Sequence, residues 1–117
     1  MSQENRLEKT NRVNLLFDFY ELLLTEKQQT FLKYYFHDDF SLGEIAAEFE
    51  ISRQAVYEHI KRAEQMLENY EQKLGLLSKQ QKASEGFGKL ERLLAESGIS
   101  SADKQQAITI IKELQEL

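Results

Sequence analysis

Cysteine and proline are both missing from this chain of 117 residues, and glycine occurs only five times. Without cysteine there are no disulfides, no thiolate metal sites and no thiol nucleophiles. Without proline, helices run with no built-in breaker. Long apolar runs are lacking too: no stretch approaches the ~20 residues of a membrane span. The start, MSQENRLEKTNR, is polar and has no apolar segment of the kind a signal peptide needs. Positive charge is in deficit, with Lys+Arg 15 against Asp+Glu 20 and a formal net charge of -5, the wrong sign for gripping phosphates over a whole surface. What remains is a soluble globular protein, expected in the cytoplasm and away from membranes. It is expected to be all-α, because no segment alternates cleanly between turn signals as a strand would.

Helical spacing begins with Val13, Leu16, Phe17, Tyr20, Leu23 and Leu24, while Leu15, Phe19 and Leu22 lie round the side of the same helix. Apolar residues on two flanks call for two neighbours. Thr25 and Gln28 then have the spacing of a capping box ahead of Phe31, Leu32, Tyr35 and Phe36, and the segment HDDF ends that helix. Ser41 and Glu44 repeat the pattern before Leu42, Ile45, Ala46 and Phe49, a short helix of about two turns. Glu50 and Ile51 form a tight corner, and Ser52 caps the next helix.

That next helix carries the most regular pattern in the chain. Val56, Ile60, Ala63, Leu67, Tyr70, Leu74 and Leu77 follow an a/d heptad spacing, with Gly75 expected to mark the helix end. The polar, glycine-bearing SKQQKASEGFG reads as a connector. Leu90, Leu93 and Leu94 predict a short helix, and Ala107, Ile108, Ile111 and Leu114 a last one capped near Ser100 to Asp103. The expected organisation is therefore residues 1–77 as an N-terminal helix plus a helical domain with a long last helix, 78–88 as a connector, and 89–117 as a C-terminal helical hairpin.

From Thr25 to Leu67 the order is helix, turn, short helix, sharp corner, longer helix, with small Ala46 at the close approach and Ile51 and Val56 as wedges. This order is a helix-turn-helix signature. LTEKQQTFLKYYFHDDFSLGEIAAEFEISRQAVYEHIKRAEQML resembles the promoter-reading domain of sigma factors. From RVNLLFDFYELLLTEKQQ onward the chain resembles more closely the YlxM family of small proteins from Gram-positive bacteria, well over residues 1–95 and weakly in the tail. That resemblance implies a sigma-like helix-turn-helix bundle with an extra N-terminal helix. It also implies a regulator in the signal recognition particle pathway, beside whose genes the family is typically encoded, with a protein or the RNA of that particle as partner. Glu50 departs from the common pattern, which places glycine at the corner; its charge weakens the case for a nearby phosphate.

Charge is unevenly distributed. Residues 1–24 carry three basic and four acidic side chains, 25–74 six and ten, and 75–117 six and six. The deficit falls on the helix-turn-helix itself, which counts against tight general DNA binding. Locally the balance reverses: Ser52 to Arg62 holds three basic residues and one acidic one. Arg53 and Gln54 are types able to make bidentate contacts to base edges, Ser52 and Tyr57 lie beside them, and Lys61, Arg62, Lys27 and Lys33 are able to neutralise phosphates. About four to six such cations predict weak, salt-sensitive binding. The plain alternative is a solvated helix face; a protein-binding surface is the third.

Other features carry less. His37, Asp38 and Asp39 are potential metal ligands, but three consecutive ligands rarely converge on one ion, so no metal is expected. His59 is expected as an exposed member of the long helix. With no phosphate-cradling glycine loop and no paired nucleophile and base, neither an enzyme nor a small-molecule substrate or cofactor is expected. The two-sided first helix and the heptad seam predict a homodimer through Leu15, Phe19, Leu22, Leu67, Tyr70 and Leu74, which would set two helix-turn-helix units at fixed spacing on duplex DNA.

Overall fold

The computed structural model describes residues 3–117; the first two residues of the polar N-terminal stretch lie outside them. Among the described residues every regular element is helical: α1 (Gln3–Tyr20), α2 (Glu26–Leu32), α3 (Leu42–Phe49), α4 (Arg53–Leu74), α5 (Leu76–Glu96) and α6 (Ser101–Gln115). The chain forms two compact units, residues 1–77 and 78–117. No helix among the described residues is long and apolar enough to cross a membrane.

In the first unit the caps set the element starts. The Thr25 hydroxyl accepts the Gln28 N–H at 3.2 Å, and the Gln28 side chain accepts the Thr25 N–H at 3.0 Å. Ser41 and Glu44 make the same reciprocal pair, each bond 3.1 Å. Both boxes satisfy N–H groups that a helix start otherwise leaves unpaired.

Between α2 and α3 the chain first widens into a π turn, Lys33–His37, closed by the Asp38 N–H on the Lys33 carbonyl at 2.9 Å. Asp39 then sits at φ 56. The corner after α3 is made by Glu50, also left-handed at φ 56, with the Ile51 N–H returning to the Ala46 carbonyl at 3.1 Å. A non-glycine residue at such an angle is uncommon and costs about 1 kcal/mol.

The core of this unit gathers Val13, Leu16, Phe17 and Tyr20 of α1, Phe31 and Leu32 of α2, Ile45 of α3, and Val56, Ile60, Ala63 and Leu67 of α4. Complete burial of each large aliphatic or aromatic side chain stabilises the fold by about 1.5–3 kcal/mol. The central helix α4 packs against α1, α2 and α3.

This packing corrects the expectation that Leu67 lies at a dimer interface. Leu67 is fully buried within its own chain, so it has no surface to offer a second copy. The seam also stops early. Gly75 takes φ 64 and ends α4, and Leu77, buried in the same core, belongs to the next helix. Leu23 is 52% exposed, because the chain leaves α1 for a single 3-10 turn at Glu21–Leu23 and the helical spacing is lost there.

In the second unit, α5 runs without interruption through residues 78–88, which the composition had suggested as a connector. Lys79, Gln80, Gln81, Lys82, Ala83 and Glu85 all favour helix, and glycine in a helix costs only about 1 kcal/mol each at Gly86 and Gly88. Ser100 caps α6 by accepting the Asp103 N–H at 3.1 Å, and Ile111 is its buried residue.

Candidate nucleic-acid interface

α4 starts where Ser52 turns its hydroxyl back to accept the Ala55 N–H at 3.0 Å. That side chain is engaged as a cap. The following residues, Arg53, Gln54, Tyr57 and Glu58, are exposed. Arg53 lies against the first turn of α3: a Cβ placed at Gly43 would stand 2.9 Å from its Nη2 and 3.1 Å from its Nε. Glycine at position 43 is what permits that approach. The Gln54 amide donates to Glu58 Oε1 at 3.4 Å, and Arg62 Nε donates to the Glu58 carbonyl, also at 3.4 Å.

The basic residues divide by whether an acid already holds them. Lys33 pairs with Glu21 at 3.1 Å and sits 6.0 Å from the Phe17 ring centroid, in a different cleft lined by Phe17, Asp18, Glu21, His37 and Asp38. Lys61 shares Glu64 with Lys9, at 3.6 and 3.5 Å, and its ammonium lies 5.5 Å from the Tyr57 ring centroid. Contact with Lys61, reinforced by burial, holds the Lys9 ammonium below its ordinary range. Arg12 pairs with Glu68 at 2.7 Å.

Lys27, Arg53 and Arg62 take part in none of the ion pairs among the described residues, and all three are exposed. Unlike Lys33, they have no carboxylate partner to leave before another anion approaches. An exposed pair is worth only about 0–1 kcal/mol, so Lys61 too is available at small expense.

Two of these three cations share one cleft. Lys27 of α2 and Arg62 of α4 line a cavity of ≈ 190 Å³ together with Thr25, Gln28, Phe31 and His59. His59 is half-buried rather than exposed. Its ring lies flat on that of Phe31, centroids 4.8 Å apart at 9°, and Phe31 stacks in turn with Phe49 at 4.7 Å. Burial, and then the charges of Lys27 and Arg62, push the imidazole below its usual pKa, while Glu58 opposes them. The sequence did hold a signal for this: position 59 lies three residues after Val56 and four before Ala63, on the edge of the buried stripe.

The residues expected at a dimer interface are not brought together as one set. Leu15, Leu22 and Leu74 are exposed, Leu22 by 92%. Phe19 and Tyr70 are half-buried and pack on the core, and the Tyr70 hydroxyl donates to the Leu23 carbonyl at 3.1 Å.

With this geometry, the family of the chain can be stated. The model of a family described as "Putative helix-turn-helix protein, YlxM / p13 like" matches residues 7–111. The chain belongs to this family. The match runs on past residue 95, where the sequence resemblance had weakened, and takes in most of α6. Among relatives, the UPF0122 protein YlxM of Bacillus subtilis is 52% identical over 111 residues, 95% of this chain and 97% of its own length. The UPF0122 protein lwe1821 of Listeria welshimeri is 50% identical over 107 residues, 92% of this chain and 97% of its own. BcerKBAB4_3669 of Bacillus mycoides is 52% identical over 108 residues, covering 92% and 98%. For this YlxM-like chain the all-α helix-turn-helix architecture is thus shown both by family and by fold.

Proposed function

We propose that this YlxM-family protein is a non-enzymatic cytoplasmic regulator that binds nucleic acid through the first half of α4 and the adjoining start of α2. The signal recognition particle is the proposed setting, its RNA the first candidate ligand and a protein of that machinery the second. One observation carries this reading. In a segment with ten acidic and six basic side chains, four of the cations, Lys27, Arg53, Arg62 and Lys73, form no ion pair among the described residues, and the first three of them are exposed along the first half of α4 and the start of α2.

Duplex DNA is the alternative ligand, supported by the exposed Arg53 and Gln54 directly after the Ser52 cap, where recognition helices meet base edges. On that reading Arg53→Ala or Gln54→Ala relaxes base preference, whereas Lys61→Ala weakens binding to all sequences alike. A competition titration decides between the two: labelled signal recognition particle RNA displaced by unlabelled RNA but not by duplex DNA supports the first, and the reverse supports the second. No binding to either leaves a protein-contact module and contradicts the nucleic-acid reading.

A further inference from the structure

The cleft between α2 and α4 combines features that a simple basic patch lacks. It is concave, at ≈ 190 Å³, smaller than the ~300–1,000 Å³ typical of drug-sized ligands and suited to a small anionic group. No carboxylate lines it. Its floor is aromatic, and the stack on Phe31 fixes the plane of the His59 ring. No hydrogen bond to either His59 nitrogen is made among the described residues, so a ring edge is available to an occupant of the cleft. The charged groups facing His59 are Lys27 from α2, and Arg62 and Glu58 from its own helix.

We propose that this cleft is a proton-linked phosphate seat, in which a phosphodiester of a bound nucleic acid lies between Lys27 and Arg62 and His59 takes up a proton as it binds. The inference rests on the nucleic-acid reading above and deepens it. In the free protein two cations and a half-buried ring disfavour a third positive charge. A phosphate reverses the local potential and gives the imidazolium an oxygen to donate to, so each state of His59 favours a different occupancy. Arg62 stands nine residues along α4 from Arg53, about 13 Å. A single free phosphate cannot meet both ends of that span, whereas one nucleic-acid strand carries a phosphate at every nucleotide, which favours a polymer's phosphate over a free one.

The test is fluorescence anisotropy of the full chain with labelled signal recognition particle RNA and with duplex DNA, at pH 5.5, 7 and 8 and constant ionic strength. It is run on the wild type, His59→Gln and His37→Gln, alongside an NMR titration of the His59 ring in the wild type, free, with nucleic acid and with inorganic phosphate. Binding about five- to tenfold tighter at pH 5.5 than at pH 8 is expected in the wild type and in His37→Gln, with the dependence flattened in His59→Gln. The wild-type His59 pKa is expected to rise by about one unit on binding, the equivalent of tenfold in affinity. Affinity independent of pH, or a dependence that follows His37, overturns the seat while leaving the nucleic-acid reading intact. An equal His59 shift with inorganic phosphate overturns the assignment to a phosphodiester. Failure of both nucleic acids to bind at every pH overturns the seat and the nucleic-acid reading together.

Discussion

The Tyr20 hydroxyl donates to Glu71 at 2.6 Å and accepts the Leu76 N–H at 3.1 Å, so a fully buried phenol at the end of α1 joins the last turn of α4 to the start of α5. Glu71 Oε1 also accepts the Leu77 N–H at 3.0 Å. Burial, with the Glu71 bond second, raises the phenol pKa, so it is the protonated, donating form that the site holds. Tyr20→Phe keeps the ring and removes both bonds. We expect a loss of about 1–3 kcal/mol, because the part-buried Leu76 N–H and the Glu71 carboxylate each lose a hydrogen bond, seen as a melting temperature several degrees lower. An unchanged melting temperature would show that the bonds contribute nothing net.

Gly43 and Arg53 form a second informative pair. Ala at position 43 would press its methyl on the flexible guanidinium rather than on backbone, so Arg53 swings away and the fold stays. Gly43→Ala is expected to preserve or slightly raise thermal stability, since alanine favours helix by about 1 kcal/mol, while lowering nucleic-acid affinity as Arg53→Ala does. Affinity equal to wild type would mean that the guanidinium position in the free protein is immaterial to binding.

Leu67 and Leu22 separate folding from assembly. Leu67→Ala opens a cavity in the α1–α4 packing and is expected to cost about 2–5 kcal/mol of stability. Leu22, 92% exposed, contributes little to the fold of one chain. If a second copy covers the exposed Leu22 turn, Leu22→Asp lowers the mass measured by light scattering with the melting curve nearly intact. An unchanged mass would remove Leu22 from any such interface.

His59 predicts a pH dependence of stability with a definite sign. An unfolded histidine titrates near 6.5, and the folded His59 titrates lower. Above about pH 6.5 both states are neutral and His59 adds nothing. As pH falls through that value the unfolded chain takes up a proton that the native chain refuses, and stability drops until the native pKa is passed. Denaturant midpoints at pH 7.5 and 5.5 should therefore fall further for the wild type than for His59→Gln. Parallel losses in the two proteins would contradict this.

How much of this was legible in the sequence follows from how local each signal is. The caps at Thr25, Ser41, Ser52 and Ser100 are decided within four residues, and each was visible. The Gly75 stop and the Glu50 corner were equally local. The length of α5 was not, because a polar composition suits an exposed helix as well as a linker, and no proline arbitrates. The heptad spacing correctly marked the buried side of α4, but spacing cannot say whether the covering surface belongs to the same chain; Leu67 shows that it does. At the candidate site, residue types set Arg53 apart as a base reader and gave Lys27, Arg62, Lys33 and Lys61 equal standing as phosphate contacts. Only the three-dimensional arrangement separates Lys33 on Glu21 and Lys61 on Glu64 from the unpaired three. His59 entered the same way, through a stack on a ring 28 positions earlier in the chain.

The measurement that bears most directly on the central claim is the salt dependence of binding to signal recognition particle RNA and to duplex DNA, for the wild type and for the double variant Lys27→Gln/Arg62→Gln. For the ligand that binds, log affinity against log salt is expected to fall with a slope of about -2 to -3.6, as befits three or four phosphate contacts on RNA or DNA, and the double variant should flatten it by about 1.4 to 1.8 units. Equal slopes for the two proteins, or no binding by either, would contradict the claim that these unpaired cations meet phosphates.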